Sequence, residues 1–258
     1  MFKAKSLFIG HGSPMNIVEK NNYTKSLKTF SEKLENIPKV LILSAHWLTS
    51  GQTEITYSDE ILPIIYDFGG FPQELYNTTY KAKGNKNLSQ KVQDVLSPNK
   101  VVFNSTKGLD HGACGVLKIL FPKEKIEVAQ LSLNINLTPQ ERFEIGQKLT
   151  KLREENVTLI FSGNVIHNFE FLDFSSTATP QKWATEFENL IIEKTLNRKF
   201  VDIIDQTKLK NGNLAAPTPE HYWPFVYFLG TISETDKTSV LYKQIQNGSI
   251  SMLSFLVE

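Results

Sequence analysis

SLFIGHGSPMN, Ser6 to Asn16, lies almost at the start of the sequence. Leu7, Phe8 and Ile9 form an unbroken apolar run that leads through Gly10 into His11, Gly12, Ser13 and Pro14. Successive side chains of a strand point to opposite faces, so a strand with water on one side alternates apolar and polar residues. An unbroken apolar run describes a strand covered on both sides. The pattern recurs in VLILSAHW (40–47) and VTLIFSGN (157–164). Further strands are expected at TEITY (53–57), KVVFNS (100–105), IEVAQLSL (126–133) and SISMLSFLV (249–257).

Amphipathic segments separate these runs. Residues 23–36 carry an apolar stripe at Leu27, Phe30 and Leu34. Residues 137–156 begin with Thr138 as an N-cap, Pro139 at the first helical position and Glu141 completing a capping box. Residues 181–198 place Trp183, Phe187 and Leu190 on one side. Doubly covered strands alternating with helices predict a three-layer α/β sandwich, with a central mostly parallel or mixed sheet and helices on both faces. No repeat, low-complexity tract or Pro/Gly/Ser linker divides the chain, so residues 1–258 are expected to form a single domain.

Composition narrows the function. Hydrophobic residues make up 40% of the chain, enough for a sizeable core, and 28 Lys and Arg against 27 Asp and Glu leave a net charge of +1. A nucleic-acid binder needs a basic stripe, which this balance does not favour. The lysine-rich KAKGNKN (81–87) reads as solvated loop. A single cysteine, Cys114, cannot form an internal disulfide and reads as a small buried residue. No signal-peptide core is evident and no apolar run approaches the ~20 residues that span a bilayer, so a cytoplasmic protein without membrane attachment is expected.

The five histidines carry the chemistry. His11 and His46 end the first two expected strands, and His167 follows the strand at 157–164 by a short turn. His111, in GLDHGACG, opens a short helix, and His221, in TPEHYWP, falls in the first turn of another, with Thr218 as its cap. In open α/β sheets ligands bind beyond the carboxyl ends of the strands. Histidine is the commonest metal ligand and the usual acid–base group near neutral pH. A helix N-terminus at His221 would favour the neutral ring that a metal needs. Five histidines at strand exits and helix starts therefore predict a histidine-rich metal site built from several loops at one edge of the sheet.

LFIGHGSPMN, LSAHW, DFGGFPQELY, DHGACGVL, QLSLN, SGNVIHNF and TPEHYWP, in order from residue 7 to residue 224, resemble the class III extradiol ring-cleavage dioxygenases, and within that class the bacterial and plant DOPA 4,5-dioxygenase type. The resemblance implies a one-domain α/β fold and O2-dependent opening of a small, DOPA-like catechol beside its two hydroxyls. It implies one divalent metal ion per chain, Fe2+ for catalysis though often recorded as Zn2+. His11, His46, His167 and His221 match the metal-ligand positions, and His111 matches a histidine that assists catalysis.

Zinc has no redox chemistry and cannot pass electrons from catechol to O2, so iron is expected where the ring is opened. A two-histidine, one-carboxylate face leaves room for both substrates. Four histidine ligands leave less, which makes His167 an acid–base candidate as well as a ligand, and Glu220 a candidate third ligand, against its plainer role in a first helical turn. Ser13 and Asp67 are candidate substrate contacts. Asp67 could instead orient a ligand histidine or form a turn before Gly69 and Gly70. Asn164 could serve substrate or a ligand ring, Gly10 and Gly12 could let a flat ring approach the backbone, and Tyr222, Trp223 and Phe225 could wall an aromatic pocket or belong to the core.

Two further functions fit the same residues: a zinc-dependent hydrolase using metal-bound water, and a catalytically inactive binding protein on this fold. The absence of GxSxG and GxxxxGK weakens serine-hydrolase and nucleotide-binding readings. The expected partners are a catechol and O2, without nucleic acid or membrane, in a monomer or small homo-oligomer.

Overall fold

The computed structural model describes residues 3–34, 39–175 and 177–258. Its strands are β1 (Ser6–Gly10), β2 (Lys39–Thr49), β3 (Thr53–Thr56), β4 (Lys83–Gly84), β5 (Val101–Asn104), β6 (Glu127–Asn134), β7 (Val157–Gly163), β8 (Thr238–Tyr242), β9 (Ile245–Gln246), β10 (Ile250–Ser251) and β11 (Ser254–Val257). Nine of them form one mixed sheet in the order β5-β3-β6-β2-β7-β1-β11-β8, with β4 also paired to β6. The centre, β6-β2-β7-β1, is parallel, while β11 and β8 continue antiparallel along one edge. Strands from both ends of the chain thus share one sheet.

The helices are α1 (Asn22–Ser31), α2 (Gln73–Tyr76), α3 (Lys86–Leu96), α4 (His111–Leu120), α5 (Pro139–Glu154), α6 (Lys182–Leu196), α7 (Gly212–Ala215) and α8 (Trp223–Gly230). The unbroken apolar strands have the expected physical cause. Phe8, Leu41, Leu43, Leu159 and Phe161 enter a core shared with α3, α5, α6 and α8. Their neighbours Leu7, Ile9, Val40, Ile42 and Ile160 enter a second core with α1 and α4. Each strand serves two hydrophobic cores, so no position is left for a polar alternation.

Thr138 and Glu141 cap α5 reciprocally, as expected. Asn21 and Thr24 form an unanticipated capping box on α1, and its stripe continues through a 3-10 turn to buried Leu34. Residues 35 and 36 of the expected helix lie outside the described residues.

Three expectations need correction. KAKGNKN is not solvated loop. Ala82 is buried, Lys83 and Gly84 pair with β6, and Asn85 caps α3; over residues 81–84 only alternate side chains reach water. The helix α6 buries Ala184, Phe187, Glu188 and Ile191, so its inner face is rotated away from half-buried Trp183 and Leu190. Residues 249–257 break at Met252 and Leu253, with β10 joining β9 and β11 joining β1.

Candidate metal centre

Backbone geometry brings the histidines together. His11 follows the last residue of β1, and its N–H donates to Gly163 O at 3.1 Å. His46 does not end its strand, which continues to Thr49. It lies where the pairing of β2 with β6 is interrupted between Leu43 and Leu48, an irregularity of the kind that re-aims side chains beside active sites. His221 closes the 3-10 turn Pro219–His221, whose carbonyl accepts from Asn164 N at 2.8 Å. That approach requires glycine in β7, because a Cβ on Gly163 would meet His221 O at 2.3 Å. Gly112 similarly lets α4 lie against β2: a Cβ there would meet Ser44 Oγ at 2.6 Å and His46 Cδ2 at 2.9 Å.

Three imidazole nitrogens meet as a result. His46 Nε2 is 3.1 Å from His11 Nε2 and 3.3 Å from His221 Nε2, and one nitrogen from each ring lies within 4.8 Å of the others. Each ring's other nitrogen faces an oxygen. His11 Nδ1 lies 2.9 Å from Ser162 Oγ, His46 Nδ1 3.3 Å from Asp67 Oδ2, and His221 Nδ1 3.1 Å from Glu220 Oε1. The Ser162 hydroxyl donates its one hydrogen to Gly112 O at 2.6 Å, so it accepts from His11. The outward nitrogens therefore carry the protons, and the inward Nε2 atoms present lone pairs.

Burial lowers the proton affinity of all three rings, reinforced at His11 and His46 by the neighbouring imidazoles and opposed at His221 by the Glu220 carboxylate. Neutral rings are what a metal needs. Nitrogens about 2.1 Å from one cation, at angles between octahedral and tetrahedral, stand about 3.0–3.4 Å apart. The observed separations match, so the donor set fits a divalent transition metal.

The other two histidines flank this trio. His111 begins α4 behind the N-cap Asp110, with its centroid 4.0 Å from that of His46. Asp67 Oδ1 accepts from both His111 N (2.9 Å) and His111 Nδ1 (3.0 Å). Partial burial would raise the Asp67 carboxyl, but its interactions with His111, led by the side-chain hydrogen bond, hold it at about 2. His167 lies flat on His221, with centroids 3.6 Å apart and planes 7° apart. Burial, then His221, lowers it to about 3. His167 stays outside the group formed by His11, His46 and His221, and instead shares a second potential ligand group with Glu220 and His221.

The residues line a cleft of about 930 Å3 at the carboxyl edge of the parallel strands. The family model described as the catalytic LigB subunit of aromatic ring-opening dioxygenase matches residues 6–255. The chain belongs to the LigB family. It is 39% identical over 256 residues to the Escherichia coli K12 protein named 4,5-DOPA dioxygenase extradiol, covering 96% of this chain and 93% of that one. Identity to the Beta vulgaris protein of the same name is 32%, covering 97% of this chain and 95% of the relative. The crystal structure of an uncharacterized E. coli K12 protein superposes with a TM-score of 0.86 at 31% identity, covering 99% of this chain and all of that one.

Several residues of this LigB-family chain fall differently from expectation. Glu220 faces Nδ1 of His221 rather than the nitrogen trio, and Thr218 Oγ1 bonds its carboxylate at 2.7 Å instead of capping a helix. Burial would raise Glu220, but these hydrogen bonds hold it at about 2. The neutrality of His221 comes from burial, because a three-residue 3-10 turn supplies no helix terminus. Asn164 is fully buried and donates to Ser251 O, away from the cleft. Tyr222 and Phe225 belong to the core, and Phe68, Phe71, Phe169 and Phe174 wall the cleft instead. A Cβ on Gly10 would strike Met252 and Leu253 backbone, and one on Gly12 the Met252 sulfur, so these glycines accommodate the C-terminal segment.

Ser13 lines the cleft and caps the turn Pro14–Ile17. Cys114 is buried, its thiol pushed up to about 12 by desolvation. Sequence reading missed Ser162, although a serine inside the doubly buried run LIFSG is the one polar side chain there needing a partner. No helix among the described residues is long and apolar enough to cross a membrane.

Proposed function

We propose that the chain is a single-domain, metal-dependent extradiol dioxygenase that opens the ring of a small, DOPA-like catechol with O2. The observation that carries this reading is the meeting of three neutral imidazoles, each with its outward nitrogen turned to an oxygen, at the floor of a cleft walled by aromatic rings. Family membership and the names of the relatives support the reaction class.

His11, His46 and His221 would hold the metal. A redox-active divalent ion such as Fe2+, bound there, supplies electron transfer between catechol and O2, which zinc does not. The net reaction breaks the ring C–C bond next to the diol and places one O2 oxygen on each new end, giving an aldehyde and a carboxylate. The chain's own groups manage protons. His111, oriented by Asp67, and His167, on the opposite flank, are the acid–base groups within the cleft. Ser13 and Asp67, which both line the cleft, are the proposed contacts for the diol end.

The test is turnover of protein loaded with Fe(II) without air, then given a catechol and isotopically labelled O2. Two labelled oxygen atoms in a coloured semialdehyde product are expected. Hydrolysis of an ester or amide without O2 uptake by the zinc form, with no catechol turnover by the iron form, would replace this reading with the hydrolase.

A further inference from the structure

Three acidic residues line the cleft, and Glu170 is exposed. Two are committed: Asp67 to His46 and His111, and Glu220 to His221 and Thr218. The third, Glu170, engages no hydrogen bond or ion pair through its carboxylate among the described residues. It sits on the short turn Phe169–Phe171, three residues beyond His167, whose ring lies 4.5 Å from that of Phe169. Phe169 and Phe174 are 67% and 81% exposed and line the same cleft. Among the described lining residues there is no lysine or arginine.

We propose that the cleft selects catechols whose side chain ends in an ammonium group, with Glu170 as its anionic contact and the Phe169 and Phe174 faces beside it, and disfavours those ending in a carboxylate. The inference rests on the dioxygenase reading and deepens it by assigning charge to the substrate's far end. An ammonium gains from a free carboxylate and from aromatic faces. A carboxylate side chain meets like charge and finds no cationic partner among the residues that line the cleft, so its desolvation is uncompensated. For an amino-acid catechol, the amine is the recognised end and the carboxylate is carried unpaired.

Equilibrium binding to the metal-loaded protein under nitrogen separates these terms without requiring turnover. The probes are dopamine, ethylcatechol, DOPA and dihydrocaffeate, which share the diol and differ in side-chain charge. Dopamine is expected to bind about two- to fivefold more tightly than ethylcatechol, dihydrocaffeate more weakly by a similar factor, and DOPA between dopamine and dihydrocaffeate. The spread should shrink at high salt. Glu170→Gln should reduce the ratio of dopamine to ethylcatechol affinity, and Glu170→Lys should invert the order of dopamine and dihydrocaffeate. Dihydrocaffeate binding as tightly as dopamine, or an order unaffected by Glu170→Lys, would overturn the inference and leave the dioxygenase reading standing. Failure of every catechol to bind would remove both.

Discussion

Ser162 Oγ lies 2.9 Å from Nδ1 of His11 and 2.6 Å from the carbonyl oxygen of Gly112, so one hydroxyl ties α4 to the histidine at the end of β1. With its only hydrogen given to the carbonyl, it accepts from the ring and fixes the tautomer that leaves Nε2 free. Ser162→Ala is expected to weaken metal binding about 10–100-fold in a chelator competition. Unchanged metal affinity would show that the hydroxyl does not set the tautomer.

His111 and His46 are adjacent rings with different proposed duties, and a pair of variants separates them. His46→Ala should lose the metal. His111→Gln should retain it while kcat falls about 100-fold, the scale of a lost general acid or base. Equal metal loss in both, measured by element analysis, would place His111 among the ligands.

Gly163 is where β7 passes beneath the turn bearing His221. An alanine Cβ would lie 2.3 Å from the His221 carbonyl oxygen. Gly163→Ala should therefore destabilise the fold by about 1–3 kcal/mol and weaken metal binding together, because relief of the clash moves the turn. A variant with full stability and full metal affinity would mean that the close approach is not needed.

Far from the cleft, Arg153 and Asp236 form a buried ion pair at 2.5 Å, with Ser233 N also donating to the carboxylate. Burial would raise the Asp236 carboxyl, but the Arg153 and Ser233 hydrogen bonds hold it below the ordinary aspartate value of 3.8. A depressed folded pKa contributes stability that is fully present above the unfolded value and is lost as pH falls through the folded one. Asp236→Ala is expected to cost about 3–5 kcal/mol at pH 7 in urea unfolding. The gap to wild type should narrow below about pH 4. A gap independent of pH would contradict a charged pair.

Fold class was legible because the central strands serve two cores and so lack alternation, as in Leu7–Ile9 and Val40–Leu43. The β4–α3 region was hidden because Lys81 and Lys83 point outward while Ala82 and Gly84 carry the packing, and composition averages the two sides. At the site, the positions of the five histidines suggested a common edge, and the structure brings His11, His46 and His221 together. The roles of Glu220, Asn164, Gly10 and Gly12 were not legible. Asn164, Gly10 and Gly12 depend on what approaches from a distant segment, Ser251 or Met252, and sequence distance conceals those contacts. Glu220 meets the ring of the next residue, and its role turns on which His221 nitrogen it faces, which sequence does not show.

His11, His46 and His221 are proposed to hold a single catalytic cation. The deciding measurement is element-specific metal analysis of protein reconstituted with Fe(II) under nitrogen, comparing wild type with His11→Ala, His46→Ala and His221→Ala. Close to one iron per wild-type chain and near-complete loss in each variant are expected. Full iron occupancy in any one of the three, or none in wild type, would contradict this assignment.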